Sequence, residues 1–166
     1  MTPAPPAPAP PVMIDALVEA DVDAAIEIDL VSFVPSELGA ERDDPRAVRE
    51  KSLREELVRP WARLRAARDA EGVMVGYALF WHVVDEVHLL NVAVAISARR
   101  RGIGRALMQE IIAYARAHAV VRILLEARSG NVAAIALYEQ FGFERFAVRE
   151  RYYADGEDAV EMSLTL

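Results

Sequence analysis

Arg99-Arg100-Arg101-Gly102-Ile103-Gly104 is the first group of residues whose types and spacing suit chemistry. It lies between an apolar run, Leu90-Asn91-Val92-Ala93-Val94, and a stretch with helical periodicity. The N–H groups that open a helix have no partner inside it and sit at the positive end of its dipole, so they attract anions. Glycine lets the backbone approach a pyrophosphate closely, and arginine adds charge-assisted bonds to phosphate oxygens. A coenzyme carrying a pyrophosphate suits such a loop. The competing reading is a solvated basic turn punctuated by glycine. Placement between an apolar strand and a helix favours the phosphate site. The loop is not a Walker A motif, because no Gly-Lys-Ser/Thr is present. Leu107 at the third glycine position excludes a dinucleotide fingerprint.

A second group lies downstream. Glu126 alternates with apolar residues: Leu124 and Arg128 share its face, and Ile123, Leu125 and Ala127 take the other. Such a carboxylate either faces a cleft, where it can accept a proton, or forms a salt bridge to Arg128 or another arginine. Tyr138 follows Asn131 by about two helical turns, so both occupy one face, with the small Ala134 between them. Tyr138 is either a proton donor or a core tyrosine beside Phe141. Tyr152 and Tyr153 either shape a groove or form an aromatic turn cluster. Glu86 and His88 alternate on one strand and are candidates to face the same cleft. His82, His88 and His118 lack metal-ligand spacing, and His118 reads as the polar end of its helix. No Ser-His-Asp arrangement is present. Trp61 and Trp81 read as core.

These residues need elements to position them. Val12 to Leu17 reads as a strand. Glu19 to Phe33 places Val22, Ala25, Ile26 and Leu30 at helical spacing, ended by Pro35, and Ser36 to Asp44 reads as a loop. Asp44-Pro45 opens a charged helix that stops before Pro60, because Asp caps and Pro suits the first turn. Trp61 to Arg68, Val73 to Val84 and Glu86 to Ala95 form an antiparallel meander. Gly102 to His118 is amphipathic, with Ile103, Leu107, Ile111, Tyr114 and His118 on one face and Arg105, Gln109 and Arg116 opposite. Val120 to Ala127 is a strand, Asn131 to Phe141 a helix, and Phe143 to Glu150 with Asp158 to Leu166 a final strand pair. Strand, helix and strand over Glu86 to Ala127 make a crossover between parallel strands, so the sheet is mixed and covered by helices.

The 166 residues suffice for one domain, and a hydrophobic fraction of 54% is ample for its core. Met1 to Pro11 alternates Pro and Ala without a basic n-region or apolar h-region, so it reads as a disordered tail ahead of a domain over 12–166. No apolar run reaches bilayer-spanning length, so no membrane role is expected. A net charge of -7 argues against nucleic acid as a partner, which needs a basic face. The absence of cysteine excludes disulfides and thiolate chemistry, and fits the reducing cytoplasm expected for this chain.

Taken together, these residues resemble a family. Arg99-x-x-Gly102-x-Gly104 resembles the (Gln/Arg)-x-x-Gly-x-(Gly/Ala) signature of the GNAT N-acetyltransferase superfamily. Leu90 to Val94, Leu125-Glu126-Ala127-Arg128, Asn131 to Glu139, Phe141-Gly142-Phe143 and Arg151-Tyr152-Tyr153 resemble, in order, the RimI-type ribosomal-protein-alanine N-acetyltransferases. The resemblance spans about Trp61 to Leu166. Before it, the subfamily's Phe-Pro-Trp-Ser-Glu stands here as Phe33-Val34-Pro35-Ser36-Glu37, followed by extra charged residues, so the acceptor side departs from the pattern.

The resemblance implies an α/β fold of GNAT type: a mixed, twisted sheet splayed between two central parallel strands, with helices on both faces. It implies acetyl-CoA as cosubstrate and no metal. Backbone at Val92, Ala93 and Val94 would pair with the pantetheine arm. Arg99, Arg100, Arg101, Gly102, Ile103, Gly104 and Arg105 would hold the pyrophosphate, and Asn131 would touch the coenzyme. Glu126 matches the general base and Tyr138 the general acid, while Phe33, Glu86, Tyr152 and Tyr153 fall on the acceptor side. A base has work to do, because a free α-amino group has a pKa near ~8 and must lose a proton to attack. The implied acceptor is a protein N-terminal amine, of the ribosomal protein S18 alanine type. Two rivals remain. A lysine or small-molecule acceptor is separated by a panel of amines. A non-catalytic acyl-CoA-binding module would bind without turnover, and the presence of both Glu126 and Tyr138 speaks against it.

Overall fold

A computed structural model describes residues 12–33 and 44–166. The expected tail over 1–11, and the loop with its Pro35 stop over 34–43, lie outside the described residues. Among the described residues, seven strands form one sheet in the order β1-β2-β3-β4-β5-β7-β6: β1 Met13–Ala16, β2 Ala62–Arg68, β3 Met74–Val83, β4 Glu86–Val94, β5 Arg122–Arg128, β6 Glu144–Arg149 and β7 Ala159–Thr165. Every neighbouring pair is antiparallel except β4 and β5. The meander is β2-β3-β4, and β1 extends it by pairing with β2.

Among the described residues, four helices cover the sheet: α1 Val22–Ser32, α2 Pro45–Val58, α3 Ile103–Ala117 and α4 Val132–Gln140. Under α1 and α2, Ile26, Leu53, Leu64, Tyr77 and Leu79 are buried. On the other face, Leu107, Met108 and Ile111 of α3 and Ile135 of α4 pack on Phe80, Val87, Ile123 and Met162. The expected mixed sheet with helices on both faces is therefore present.

Local chemistry explains the element starts. Asp44 accepts a hydrogen bond from Arg46 N at 3.1 Å and Pro45 takes the first helical position, as the sequence predicts. The Glu19–Phe33 expectation divides: Asp21 accepts from Val18 N at 2.9 Å and tightens the first turn to a 3-10 helix over Glu19–Asp21 before α1 begins. His118 is the C-cap of α3, stacked on Tyr114. Trp61 departs from the core reading. It is 45% exposed beside β2, and Arg59 Cζ lies 5.9 Å from its ring and 5.6 Å from that of Trp81. Trp81 is half-buried and donates its indole N–H to Glu56 at 2.7 Å.

Asp29, Arg49 and Tyr77 form a polar network between α1, α2 and β3. The Tyr77 hydroxyl donates to Asp29 at 2.5 Å and accepts from Arg49 at 2.9 Å, while Arg49 Nε donates to the other Asp29 oxygen. Asp29 and Tyr77 are fully buried. Burial raises the Tyr77 phenol well above its ordinary value, so it stays a donor.

Candidate active site

The site begins where the two parallel strands part. β4 and β5 pair from Glu86↔Arg122 to Leu89↔Leu125, and beyond that each strand runs on unpaired with the other. The cause is local. The β3–β4 register shifts between Leu79 and Phe80, leaving Leu90 as an extra residue, and such a bulge bends its strand and reverses the alternation. Val87 and Leu89 pack toward α3, as do Val92 and Val94 after the bulge, while Ala93 turns toward the α1–α2 core. One backbone edge of Val92–Val94 pairs with β3, and the other borders the gap.

The basic loop closes one end of this gap. A 3-10 turn over Ile96–Ala98 leads into it, and Gly102 sits at φ 82° as the residue before α3. That left-handed backbone suits glycine. The first turn of α3 has neither a side-chain cap nor an acidic residue, so its N–H groups point outward uncompensated. Arg100 and Arg101 are exposed beside them. Arg99 is used differently: its guanidinium donates to Val94 O at 3.1 Å and to Ser32 Oγ at 3.2 Å, tying the loop to β4 and α1. Arg105 donates to Gln140 and lies over Phe141, joining α3 to α4. Ile103 is buried, and Gly104 faces α4.

Glu126 lies past the parting point on β5, on the face away from α3. Its face-mates are Leu124 and Arg128, as the alternation predicts. Its partner is Arg149 of β6, with Nη1 3.3 Å from Oε1. Arg128 is engaged elsewhere, by Asp155 at 2.7 Å and Glu157 at 2.8 Å. Tyr138 of α4 is half-buried, 5.9 Å from the ring of Phe143. Burial foremost, and then the neighbouring Tyr153, push its phenol up to about 12. Asn131 caps α4 by accepting from Ala134 N at 3.3 Å. Tyr152 and Tyr153 meet edge to face at 5.3 Å, with Arg149 over the first and Arg128 over the second. The loop after β6 thus carries both tyrosines to Glu126's side of the sheet.

Two expected residues stand apart. Glu86 begins β4 at the paired end, four residues before the bulge, where it binds Arg122 and His88. The Arg122 guanidinium foremost holds its carboxyl below the ordinary value. Phe33 is the C-cap of α1 and packs against the α1–α2 core.

The family model of the acetyltransferase (GNAT) family matches residues 23–143. The chain belongs to that family. This GNAT chain is 36% identical over 159 residues to the Mycobacterium tuberculosis N-alpha-acetyltransferase RimI, covering 92% of this chain and 91% of the relative. It is 42% identical over 98 residues to the [ribosomal protein bS18]-alanine N-acetyltransferase of Escherichia coli K12, a match covering 57% of this chain and 66% of the relative's length. The crystal structure of the E. coli ribosomal-protein-S18-alanine N-acetyltransferase superposes with a TM-score of 0.78 at 31% identity, over 93% of each chain. GNAT acetyltransferases use acetyl-CoA.

Three features of the structure were not singled out in the sequence. Arg149 and Glu161 join Glu126 only because β7 inserts between β5 and β6. Gly76 is required by proximity: a Cβ there would lie 2.9 Å from Ala93 O and 3.1 Å from Ile103 Cγ2, where β3 meets β4 and α3. The Asp29–Arg49 pair left a signal, since Asp29 follows Ala25 and Ile26 on the apolar stripe of α1, and Arg49 precedes Leu53 on that of α2. Among the described residues no His, Cys, Asp and Glu cluster suits a metal, and no helix is long and apolar enough to cross a membrane.

Proposed function

We propose that this chain transfers the acetyl group of acetyl-CoA to the N-terminal α-amine of a protein, by direct transfer while both substrates are bound. An alanine terminus of the ribosomal protein S18 type is the leading acceptor. The observation that carries the reading is the parting of β4 and β5 after Leu89 and Leu125, with the open first turn of α3 at one end and Glu126 on the neighbouring strand. The names of the two similar proteins and the superposed E. coli structure support the same acceptor class.

The residues present fit the coenzyme. The uncapped start of α3 with Arg100 and Arg101 suits a pyrophosphate, and the free edge of Val92–Val94 suits an extended amide-bearing arm. Asn131 and Arg105 border this side at the start of α4 and the first turn of α3. Acetyl-CoA supplies the acetyl thioester. Glu126 takes the proton from the acceptor ammonium, directly or through a water. As the neutral amine forms its carbon–nitrogen bond and the carbon–sulfur bond breaks, Tyr138, a phenol protonated at neutral pH, donates its proton to the sulfur and recovers one from the nitrogen. Tyr152 and Tyr153 wall the acceptor side, and Phe33 supports it from the α1–α2 core. Glu86, bound at the paired end of the sheet, is left out of the chemistry.

The test is mass spectrometry of peptides with varied N-termini after incubation with acetyl-CoA. Acetylation of a free alanine terminus is expected. Equal rates for that peptide and a twin with a blocked N-terminus and free lysines would replace the α-amine by lysine.

A further inference from the structure

Glu126 and Glu161 are direct cross-strand partners on β5 and β7. Side chains so placed lie roughly 5 Å apart at Cβ, and two like charges there repel. Arg149 spans them: Nη1 is 3.3 Å from Glu126 Oε1 and Nη2 is 2.8 Å from Glu161 Oε1. Side-chain exposure is 34% for Glu126, 17% for Glu161 and 49% for Arg149. The least exposed member is thus a carboxylate, and the most exposed is the cation that neutralises it. The Tyr152 ring lies 5.3 Å from Arg149 Cζ and offers the guanidinium a second resting place. Arg128, the other arginine on this face of β5, is held by Asp155 and Glu157, and Glu144 of β6 adds a further exposed carboxylate opposite Ser163. Two carboxylates with one shared cation leave one negative charge.

We propose that Glu161 is the second carboxylate of the acceptor site, and that the acceptor's ammonium is received between Glu126 and Glu161 in place of Arg149. The proposal rests on the reading of Glu126 as the base. An ammonium has three donors and suits two flanking carboxylates. A base still capped by a guanidinium accepts a proton poorly, so the exchange also uncovers Glu126. One N–H bond of the ammonium then breaks and one O–H bond forms on Glu126, while Glu161 stays ionised and holds the nitrogen. Arg149 and Glu161 are positioning residues: the first holds the two carboxylates together before the acceptor arrives, and the second places the amine.

The test is steady-state kinetics between pH 5 and 9 with the best acceptor of the peptide panel, alongside acetyl-CoA affinity by calorimetry and melting temperature. Glu161→Gln is expected to raise the acceptor KM about tenfold or more, the size of a lost charge-assisted hydrogen bond, with kcat and acetyl-CoA affinity nearly unchanged. Glu161→Asp should recover part of the loss. Arg149→Met leaves Glu126 and Glu161 facing each other, so the acid limb of the kcat/KM profile should move to higher pH, and adding Glu161→Gln should move it back. An unchanged acceptor KM in Glu161→Gln, or an acid limb unmoved by Arg149→Met while both variants melt earlier, would overturn the proposal and leave a structural brace. Glu126→Gln separates the two readings. Undiminished turnover there removes the base, whereas the acceptor KM of Glu161→Gln bears on the amine site alone.

Discussion

One face of the sheet carries two arginine–carboxylate networks that differ in how deeply they are buried. Under α1 and α2, Arg49 is sealed between Asp29 and Tyr77, and its side chain is 9% exposed. Past the parting of β4 and β5, Arg149 bridges Glu126 and Glu161, and its side chain is 49% exposed. In the first, every partner is fixed by packing, so the network acts as a clamp between two helices and a strand. In the second, the proposed exchange for the acceptor's ammonium requires only that an exposed cation leave. Burial, more than residue type, separates a structural ion pair from a reactive one.

Breaking the sealed network should have the largest effect on stability. Arg49→Met leaves Asp29 buried without its cation and should cost about 3–5 kcal/mol, lowering the melting temperature by roughly 10 °C. Acetyl-CoA affinity per folded molecule should be unchanged, as calorimetry on the folded fraction will show. An equal loss of coenzyme affinity would mean that the two regions are coupled.

Glu126→Gln should do the reverse. Turnover should fall about 100-fold, as expected for loss of a general base, with little change in melting temperature because exposed pairs contribute only ~0–1 kcal/mol. The defect should shrink as pH rises toward the amine pKa near ~8, where more acceptor is already neutral. A lower melting point with a flat pH response would place Glu126 with Arg49, on the structural side.

Tyr138→Phe keeps the ring against Phe143 and removes the hydroxyl. Turnover should drop on the order of 10- to 100-fold at unchanged acetyl-CoA affinity, measured by single-turnover kinetics and calorimetry. Gly104→Val pushes a branched side chain toward Leu137, whose Cδ2 lies 3.4 Å from the Cβ position, and into the approach to the first turn of α3. Acetyl-CoA affinity should fall roughly tenfold, or ~1.4 kcal/mol, in a protein that still melts cooperatively.

The smallest effect concerns a third, intermediate network. Arg68 binds Asp15 and Asp21 where β1, β2 and the turn before α1 meet. Its hydrogen bond foremost holds the Asp21 carboxyl below the ordinary 3.8. A carboxyl depressed in the folded state adds stability that is complete above its unfolded pKa and is lost as pH falls through the folded value. Denaturant unfolding should therefore show stability falling below about pH 4, and Asp21→Asn should flatten that slope.

The sequence by itself determined the parts whose signals are local. Asp44-Pro45 marked the start of α2, the Ile103–Tyr114 stripe marked α3, and the alternation around Glu126 assigned its face. The Arg99–Gly104 loop between strand and helix, with the order of motifs after it, was enough to name the family. These depend on neighbours within a turn or two, which a sequence displays directly. Other features were decided by contacts between distant segments. The insertion of β7 between β5 and β6 put Glu161 beside Glu126, and Arg149 across both, from positions 23 to 35 residues away. The bulge at Leu90 parted β4 from β5, and Gly76 let Ala93 and Ile103 come close. Asp29 and Arg49 stood on apolar stripes as apparent misfits, and only the packing of α1 on α2 over Tyr77 made them partners. Strand order and side-chain pairing are set by which distant surfaces meet, and that is a property of the packed chain.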